Sequence, residues 1–340
     1  MTTSLTTFER QVRERLLDVI HAQWHDVGFP FSTTLVGSDE IIDPEALLWC
    51  SLEFLATEPR LAEAVLAWLD SSAFPIIRHR VNQHARKGEP RSNLWHALNR
   101  TKRLRPETPT EPCHGLVSAD EVTAFCERLA EDRVWVRESG KSLGWPLPRP
   151  ATALLWARNL LGSDIRHFLL VYLLANPGGG RLKTVQRWSG YTYRSISETA
   201  TRWEAARVLA IDHGFCRLSN PEPWRLLLPQ GPEPAVIVDW FEAFDACVRL
   251  LRALAKADRK GLALDGSVIR SHCRQAGETL SSVILGGSGR STTIEYLRGL
   301  FPPVTHLSST DREVLLEVSN SDAEPNETLK NAAHRRGKGR

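Results

Sequence analysis

The chain has 340 residues, 42% of them hydrophobic and 24% charged, with a formal net charge of +3. This is the composition of a globular protein; it excludes collagen-like and low-complexity classes, and at roughly 100 to 200 residues per domain it asks for two or three structural units. The longest unbroken apolar run, Phe168 to Ala175, is less than half the roughly 20 residues that a bilayer span needs, so no membrane partner is expected.

The first residues pass from Thr and Ser into Glu9, Arg10, Arg13, Glu14 and Arg15 without an apolar segment, so no signal peptide is expected and the cytoplasm is the expected location. Leu5, Phe8, Val12, Leu16, Val19 and Ile20 recur at helical spacing and predict an amphipathic helix. Asp43-Pro44 supplies an N-cap and a first-turn proline for a second helix carrying Leu47, Leu48, Leu52 and Leu55. Thr57-Glu58-Pro59 opens a third with Leu61, Val65, Leu66 and Leu69, and together these make residues 1–85 an N-terminal helical domain. Residues 86–116 lose the periodicity, are punctuated by Pro90, Pro106, Pro109 and Pro112, and read as a basic linker or arm with a short helix near Leu94 to Leu98. In the connecting segment 117–162, Ser118 and Glu121 form a capping box for a helix from Ala119 to about Ala130. A short strand is expected from Arg133 to Arg137, and a helix from Ala151 to Leu161 after the WPLPRP run.

Residues 163–230 read as one compact unit. Ser163-Asp164 caps a helix whose Ile165, Phe168, Leu169, Leu173 and Leu174 face a core, and Pro177 with three glycines stops it. A second helix, Leu182 to Trp188, ends at Ser189-Gly190, where glycine can take the left-handed conformation of a tight reversal. A third runs from about Thr192 to about Arg207, and Phe215 to Leu218 with Trp224 to Leu228 are expected to pair as a two-stranded ribbon. Beyond it, residues 231–319 form a C-terminal helical domain. Its first helix carries one long apolar stripe from Ile237 to Ala255, and further helices are expected near Asp265 to Gln275, Thr292 to Leu300 and Asp311 to Val318. Residues 320–340 are expected to be a disordered basic tail.

Charge is unevenly divided. Residues 78 to 105 hold nine basic side chains and one acidic, residues 163 to 230 nine and five, and the tail from Lys330 five and none, which leaves the remainder acidic. Basic segments on an otherwise acidic body suit a polyanion partner.

The order helix, short helix, glycine turn, longer helix, β-ribbon is that of a winged helix-turn-helix, and LKTVQRWSGYTYRSISETATRWEAARVLAIDHGFCRL resembles that family, especially MarR-like and GntR-like regulators, over residues 164–228. Leu182, Val185, Ser189-Gly190, Thr192, Arg194, Ser195 and Ile196 fill the places of the family pattern. The resemblance implies a mainly α protein in which three helices and a wing are flanked by N- and C-terminal helical domains, and a double-stranded DNA partner. A recognition helix enters the major groove by its N-terminal turns, so Tyr191, Thr192, Tyr193, Arg194, Ser195 and Arg202 are candidate contacts, with Ile196, Ala200 and Trp203 anchoring the other face. Arg194 is the foremost candidate for a base contact, with Ser195, Glu198 and Arg202 beside it, and Lys183, Arg187 and Arg217 suit phosphates. Arg207 departs from the pattern, standing where a glycine often ends the recognition helix.

Other motifs carry less. LGGSGRST at 285 to 292 lacks the first glycine and the lysine of a phosphate loop. Cys113, His114 and Cys126 lack zinc-site spacing, and the eleven histidines form no helical metal pair, so no metal or cofactor is expected. No catalytic constellation is recognisable, and a non-enzymatic role is expected. The sequence therefore points to a repressor-like transcriptional regulator. The stripe from Ile237 to Ala255 reads first as intramolecular core and second as a candidate homodimer seam, since dimers match two DNA half-sites. The alternatives are a nucleic-acid-binding scaffold subunit of a defence or mobile-element complex, and an antitoxin-like partner of a neighbouring toxin protein.

Overall fold

The computed structural model describes residues 4–33, 35, 40–70, 76–85, 89–101, 148–228, 235–261, 266–287 and 290–301. The capping box at Ser118, the helix from Ala119, the strand from Arg133, the helix from Asp311, the basic tail, and Cys113, His114 and Cys126 lie outside them. Within them the protein is mainly helical, with small antiparallel sheets.

Helix α1 (Leu5–Asp26) starts where the Ser4 hydroxyl accepts from the Thr7 amide, and the expected stripe from Leu5 to Ile20 is buried. Helix α2 (Pro44–Ser51) is capped by Asp43, whose Oδ1 accepts from the amides of Glu45 and Ala46, and every residue of it is buried. Trp24 packs edge-on against Trp68 of α3 (Pro59–Asp70) and donates its indole N–H to Ser51 Oγ at 2.9 Å, which ties α1, α2 and α3 together. Two further helices follow, α4 (Arg78–His84) and α5 (Pro90–Thr101).

The partner of these helices comes from the other end of the chain. Helix α11 (Trp240–Arg259) buries Phe241, Phe244, Cys247, Val248, Leu251 and Leu254 in the same apolar cluster as α1 to α5, and α12 (Ser267–Ser282) and α13 (Thr292–Arg298) complete that cluster. The boundaries read from the sequence separated these two ends; one core joins them. Burial favours the intramolecular reading of the stripe: Trp240, Phe241, Phe244, Cys247, Val248, Leu251 and Leu254 are covered by helices of their own chain. Helix α13 starts at Thr292, as expected, with Ser291 as its N-cap, whose Oγ accepts from the Ile294 amide.

A second cluster holds α6 (Ala153–Leu161), α7 (Ile165–Ala175), α8 (Leu182–Ser189), α9 (Tyr193–Ala205) and the three-stranded sheet beside them. The junction between the clusters is made residue by residue. In the strand β4 (Ile237–Val238), Val236 and Val238 point into the first cluster and Ile237 into the second, as alternation along a strand requires. Strand β4 pairs with β5 (Ile284–Gly286), and on its other side the Ile41 amide donates to Val236 O at 2.8 Å. These two- and three-residue strands have no periodicity to read and were not expected.

The basic arm is also corrected in part. Residues 90–101 are helical, Leu94, Trp95 and Leu98 are buried, and so are two arginines of the stretch, Arg80 and Arg91. Arg91 donates to Asp245 on α11 at 2.9 Å and lies over the Trp49 ring, so it binds the fold together and is not offered to a polyanion.

Phe244→Ala, which opens a hole in the shared core, is expected to cost about 3–5 kcal/mol in urea unfolding. The midpoint should be the same at two protein concentrations tenfold apart; a midpoint rising with concentration would place the α11 stripe in an intermolecular seam.

Candidate nucleic-acid interface

Helix α7 begins at Asp164, whose carboxylate accepts from the Arg166 amide at 2.9 Å, and its apolar length is wholly buried. The chain then passes through glycines that admit no side chain: a Cβ at Gly179 would lie 2.6 Å from Cys216 O, and one at Gly180 would overlap the Tyr172 ring. That close approach lets β1 (Gly180–Arg181) pair with β3 (Phe215–Leu218), which also pairs with β2 (Leu209–Asp212), giving the antiparallel order β1-β3-β2. In α8, Leu182, Val185 and Trp188 are buried, while Lys183 and Arg187 face outward. Gly190 ends α8 in the left-handed conformation, φ 70°, as its residue type led one to expect.

Two residues later Thr192 caps α9: its hydroxyl accepts from the Ser195 amide at 3.3 Å and donates to Ser195 Oγ at 3.1 Å. Ile196 and Ala200 bury one face of α9, leaving Tyr193, Arg194, Glu198 and Arg202 on the exposed side. Arg194 is 88% exposed, and its Nε donates to Glu198 Oε1 at 2.8 Å one turn on. Tyr191 sits differently. Its ring packs against Phe168 and edge-on against His79, and its hydroxyl donates to Ser163 O at 3.3 Å, so half of it is spent on holding the turn.

Arg207 takes the left-handed conformation, φ 59°, in the place where glycine was missed. The Val208 amide reaches Trp203 O and the Arg207 amide reaches Glu204 O, the pair of hydrogen bonds of a Schellman motif, so the helix stops and β2 begins. The ribbon expected from Phe215 to Leu218 with Trp224 to Leu228 is therefore wrong in its second strand. The partner of β3 is β2, and the hairpin turns at His213 and Gly214, both at positive φ as a two-residue type I′ turn requires. Residues Glu222–Leu227 form a short helix, α10, because Asn220 Oδ1 accepts from the Glu222 amide, Pro223 cannot donate to a ladder, and Arg225 pairs with Glu222 at 2.6 Å. Arg217 is exposed on β3.

Lys183, Arg194, Arg202 and Arg217 all face outward; Arg202 stands in the last turn of the 13-residue helix α9, and Arg194 in its first turn, at the N-terminal end. The partial positive charge at that end adds to the Arg194 cation and favours an anion there. Arg187 is the exception, since its Nε also donates to Asp239 Oδ2 at 3.3 Å. Among the described residues, no group of His, Cys, Asp and Glu is placed to hold a metal ion, and no helix is long and apolar enough to cross a membrane. The buried thiols of Cys216 and Cys247 are pushed up to about 11 and about 12 by burial, which keeps them protonated.

Beneath the turn lies a buried knot of charge that local sequence patterns do not reveal. Arg80 donates from Nη1 to Asp43 Oδ1 at 2.8 Å and to Glu45 Oε2 at 2.7 Å, and from Nη2 to Asp43 Oδ2 at 2.6 Å and to Trp188 O at 2.9 Å. Arg158 of α6 grips both Glu45 oxygens, at 2.8 and 3.0 Å, and the Ile77 amide donates to the same carboxylate. Although burial opposes its charge, Arg158 and Arg80 hold the Glu45 carboxyl down to about 2. His167 lies nearby, its Nδ1 3.0 Å from Gly162 O, and burial followed by the neighbouring Arg158 pushes its imidazole down to about 2.

Comparison with protein-family models, with curated proteins and with solved structures finds no match to this chain. The assignment rests on the residues alone.

Both titrations act in the same direction. His167 folds neutral against an unfolded value near 6.5, so its contribution is full above about pH 6.5 and is lost as pH falls below it. Glu45 folds charged, so its contribution is present above the unfolded carboxylate value near 4.3 and disappears as pH falls through about 2. Urea unfolding free energy should therefore decline from pH 7 to pH 4. His167→Gln, which keeps a donor for Gly162 O, should reduce that slope by up to about 1.4 kcal/mol per pH unit. A slope the substitution leaves untouched would contradict a neutral, buried imidazole.

Proposed function

We propose that residues 163–228 are a winged helix-turn-helix that binds double-stranded DNA, and that the chain is a non-enzymatic, cytoplasmic, repressor-like transcriptional regulator. The observation that carries this reading is the N-terminal turn of α9. It is held by a left-handed Gly190 and a Thr192 cap, anchored by Ile196 and Ala200, and presents Arg194 almost wholly to solvent. Helix, turn, helix and hairpin follow in the family's order, and the exposed cations flank the helix that would enter the major groove.

The parts divide by chemistry. Arg194 has the reach and the planar donors for the O6 and N7 of guanine, and Glu198 can accept from a cytosine amino group once Arg194 turns to a base. Lys183 and Arg217 supply phosphate contacts, which set register and carry no sequence information. Arg202, one turn beyond Glu198 on the same face, extends the reading edge.

Selection of bound duplexes from a random pool at about 150 mM salt, where exposed electrostatics are substantially screened, should enrich a motif. Arg194→Ala should relax one position of that motif at a cost of about 1–3 kcal/mol. Lys183→Ala should instead weaken all sequences alike and lower the slope of log K against log salt by about one. A pool without enrichment, bound weakly and equally by the Arg194 variant, would sink the reading in favour of a scaffold that grips nucleic acid without reading it.

A further inference from the structure

Helix α4 belongs to the helical body, yet it lies across the α8–α9 turn. Its Arg80 donates to Trp188 O at 2.9 Å, its Gln83 Nε2 donates to Gly190 O at 3.1 Å, and its His79 ring stands edge-on to Tyr191 at 4.9 Å. These partners bracket the reversal from Trp188 to Tyr191, and the first two are main-chain carbonyls at the end of α8, where a helix leaves its carbonyls without internal donors. The Arg80 guanidinium also lies over the Phe168 ring of α7 and the Phe241 ring of α11, 4.6 and 5.3 Å from their centroids, so one side chain touches both clusters. The fit is close at the turn itself, where a Cβ built on Gly190 would lie 2.7 Å from Gln83 Oε1.

We infer that Gln83, His79 and Arg80 are positioning residues for DNA binding: they fix the pitch of α9 by holding the α8–α9 turn from outside, without touching DNA. This rests on the DNA-binding reading of α9 given above. A free two-helix unit would let the turn hinge, and each binding event would then have to order it. With the turn held, that ordering is completed on folding, and affinity is raised without a further DNA contact. Arg80 cannot be removed without leaving Asp43 buried with no counter-ion and Glu45 with Arg158 alone, so Gln83 and His79 are where the idea is tested.

The experiment uses the full chain, as wild type, Gln83→Ala, the double variant Gln83→Ala with His79→Ala, and the control Arg78→Ala on the same helix. Amide hydrogen exchange over residues 188–200 should quicken about three- to tenfold in the Gln83 variant and further in the double variant, the scale of one net hydrogen bond. The fall in urea unfolding free energy should not exceed that one hydrogen bond, exchange in α1 and α11 should quicken by no more than that fall, and Arg78→Ala should leave the turn as it is. Affinity for the selected duplex should fall about three- to tenfold for Gln83→Ala with an unchanged salt slope, because no phosphate contact is removed. Unaltered exchange at the turn would overturn the inference whether or not DNA binds, and so would equal quickening in Arg78→Ala. A salt slope lower by about one in the Gln83 variant would place α4 on the phosphates and overturn it as well. If the wild type selects no duplex, the DNA-binding reading fails by itself, and the claim that α4 fixes the turn stands or falls on the exchange data.

Discussion

The charge knot at Glu45 is the constraint on which the arrangement of the chain depends. Two carboxylates, Asp43 and Glu45, and two guanidiniums, Arg80 and Arg158, are almost wholly removed from water. Each ion costs several kcal/mol to desolvate, and the debt is met only where the geometry satisfies nearly every lone pair. Here it is: Arg158 is bidentate on Glu45, Arg80 is bidentate on Asp43, and the remaining acceptor capacity of the carboxylates goes to the amides of Glu45, Ala46 and Ile77. An apolar replacement of the whole set could be as stable, so the knot is best understood as fixing one arrangement. The segments around residues 43, 80, 158 and 188 can meet in only one way without stranding a charge.

That role explains why the two apolar clusters form a continuous structure. Val236 and Val238 face one cluster and Ile237 the other; Ile41 and Ile42 divide in the same way, as do Leu154 and Leu155. Apolar packing alone tolerates sliding at such a seam, because its energy is non-directional. Directional bonds across it do not, and the indole N–H of Trp240 on Ile41 O, at 2.8 Å, adds another close to the same seam.

How much of this the sequence made legible depends on the range of the interactions. The stripe of α1, the Asp43 cap, the Gly190 turn and the Ile196 anchor are local codes, written within one or two turns, and the structure has them where the residues indicate. The knot is not local. Asp43 reads as a cap, Glu45 as a first-turn acid, Arg80 as one charge in a basic stretch and Arg158 as a helix-end cation, and nothing within a window of 20 residues joins them. Counting charge by segment therefore groups Arg80 and Arg91 with cations that suit a polyanion, whereas both are buried. The wing failed for a subtler reason. His213-Gly214 is a weaker turn signal than Asn-Gly, while Trp224 to Leu228 offers a richer apolar run.

The candidate interface is thus held from two directions by the body that carries it. On one side α4 grips the carbonyls of the turn; on the other Arg187 of α8 reaches Asp239, whose second oxygen accepts from the Glu242 amide at the start of α11. Burial pushes the Asp239 carboxyl up, and Arg187 is among the groups that pull it back towards its charged form. On the proposed DNA-binding reading, a phosphate that takes Arg187 must draw it from a carboxylate that also caps a core helix. Arg194 faces a milder form of the same competition, since Glu198 is exposed and lies on its own helix, where such a pair is worth only about 0.3–0.5 kcal/mol. The cheaply released arginine stands where sequence would be read, and the tethered one stands where the protein is joined to its own body. On the proposed function, reading and anchoring thus fall to different side chains of neighbouring helices.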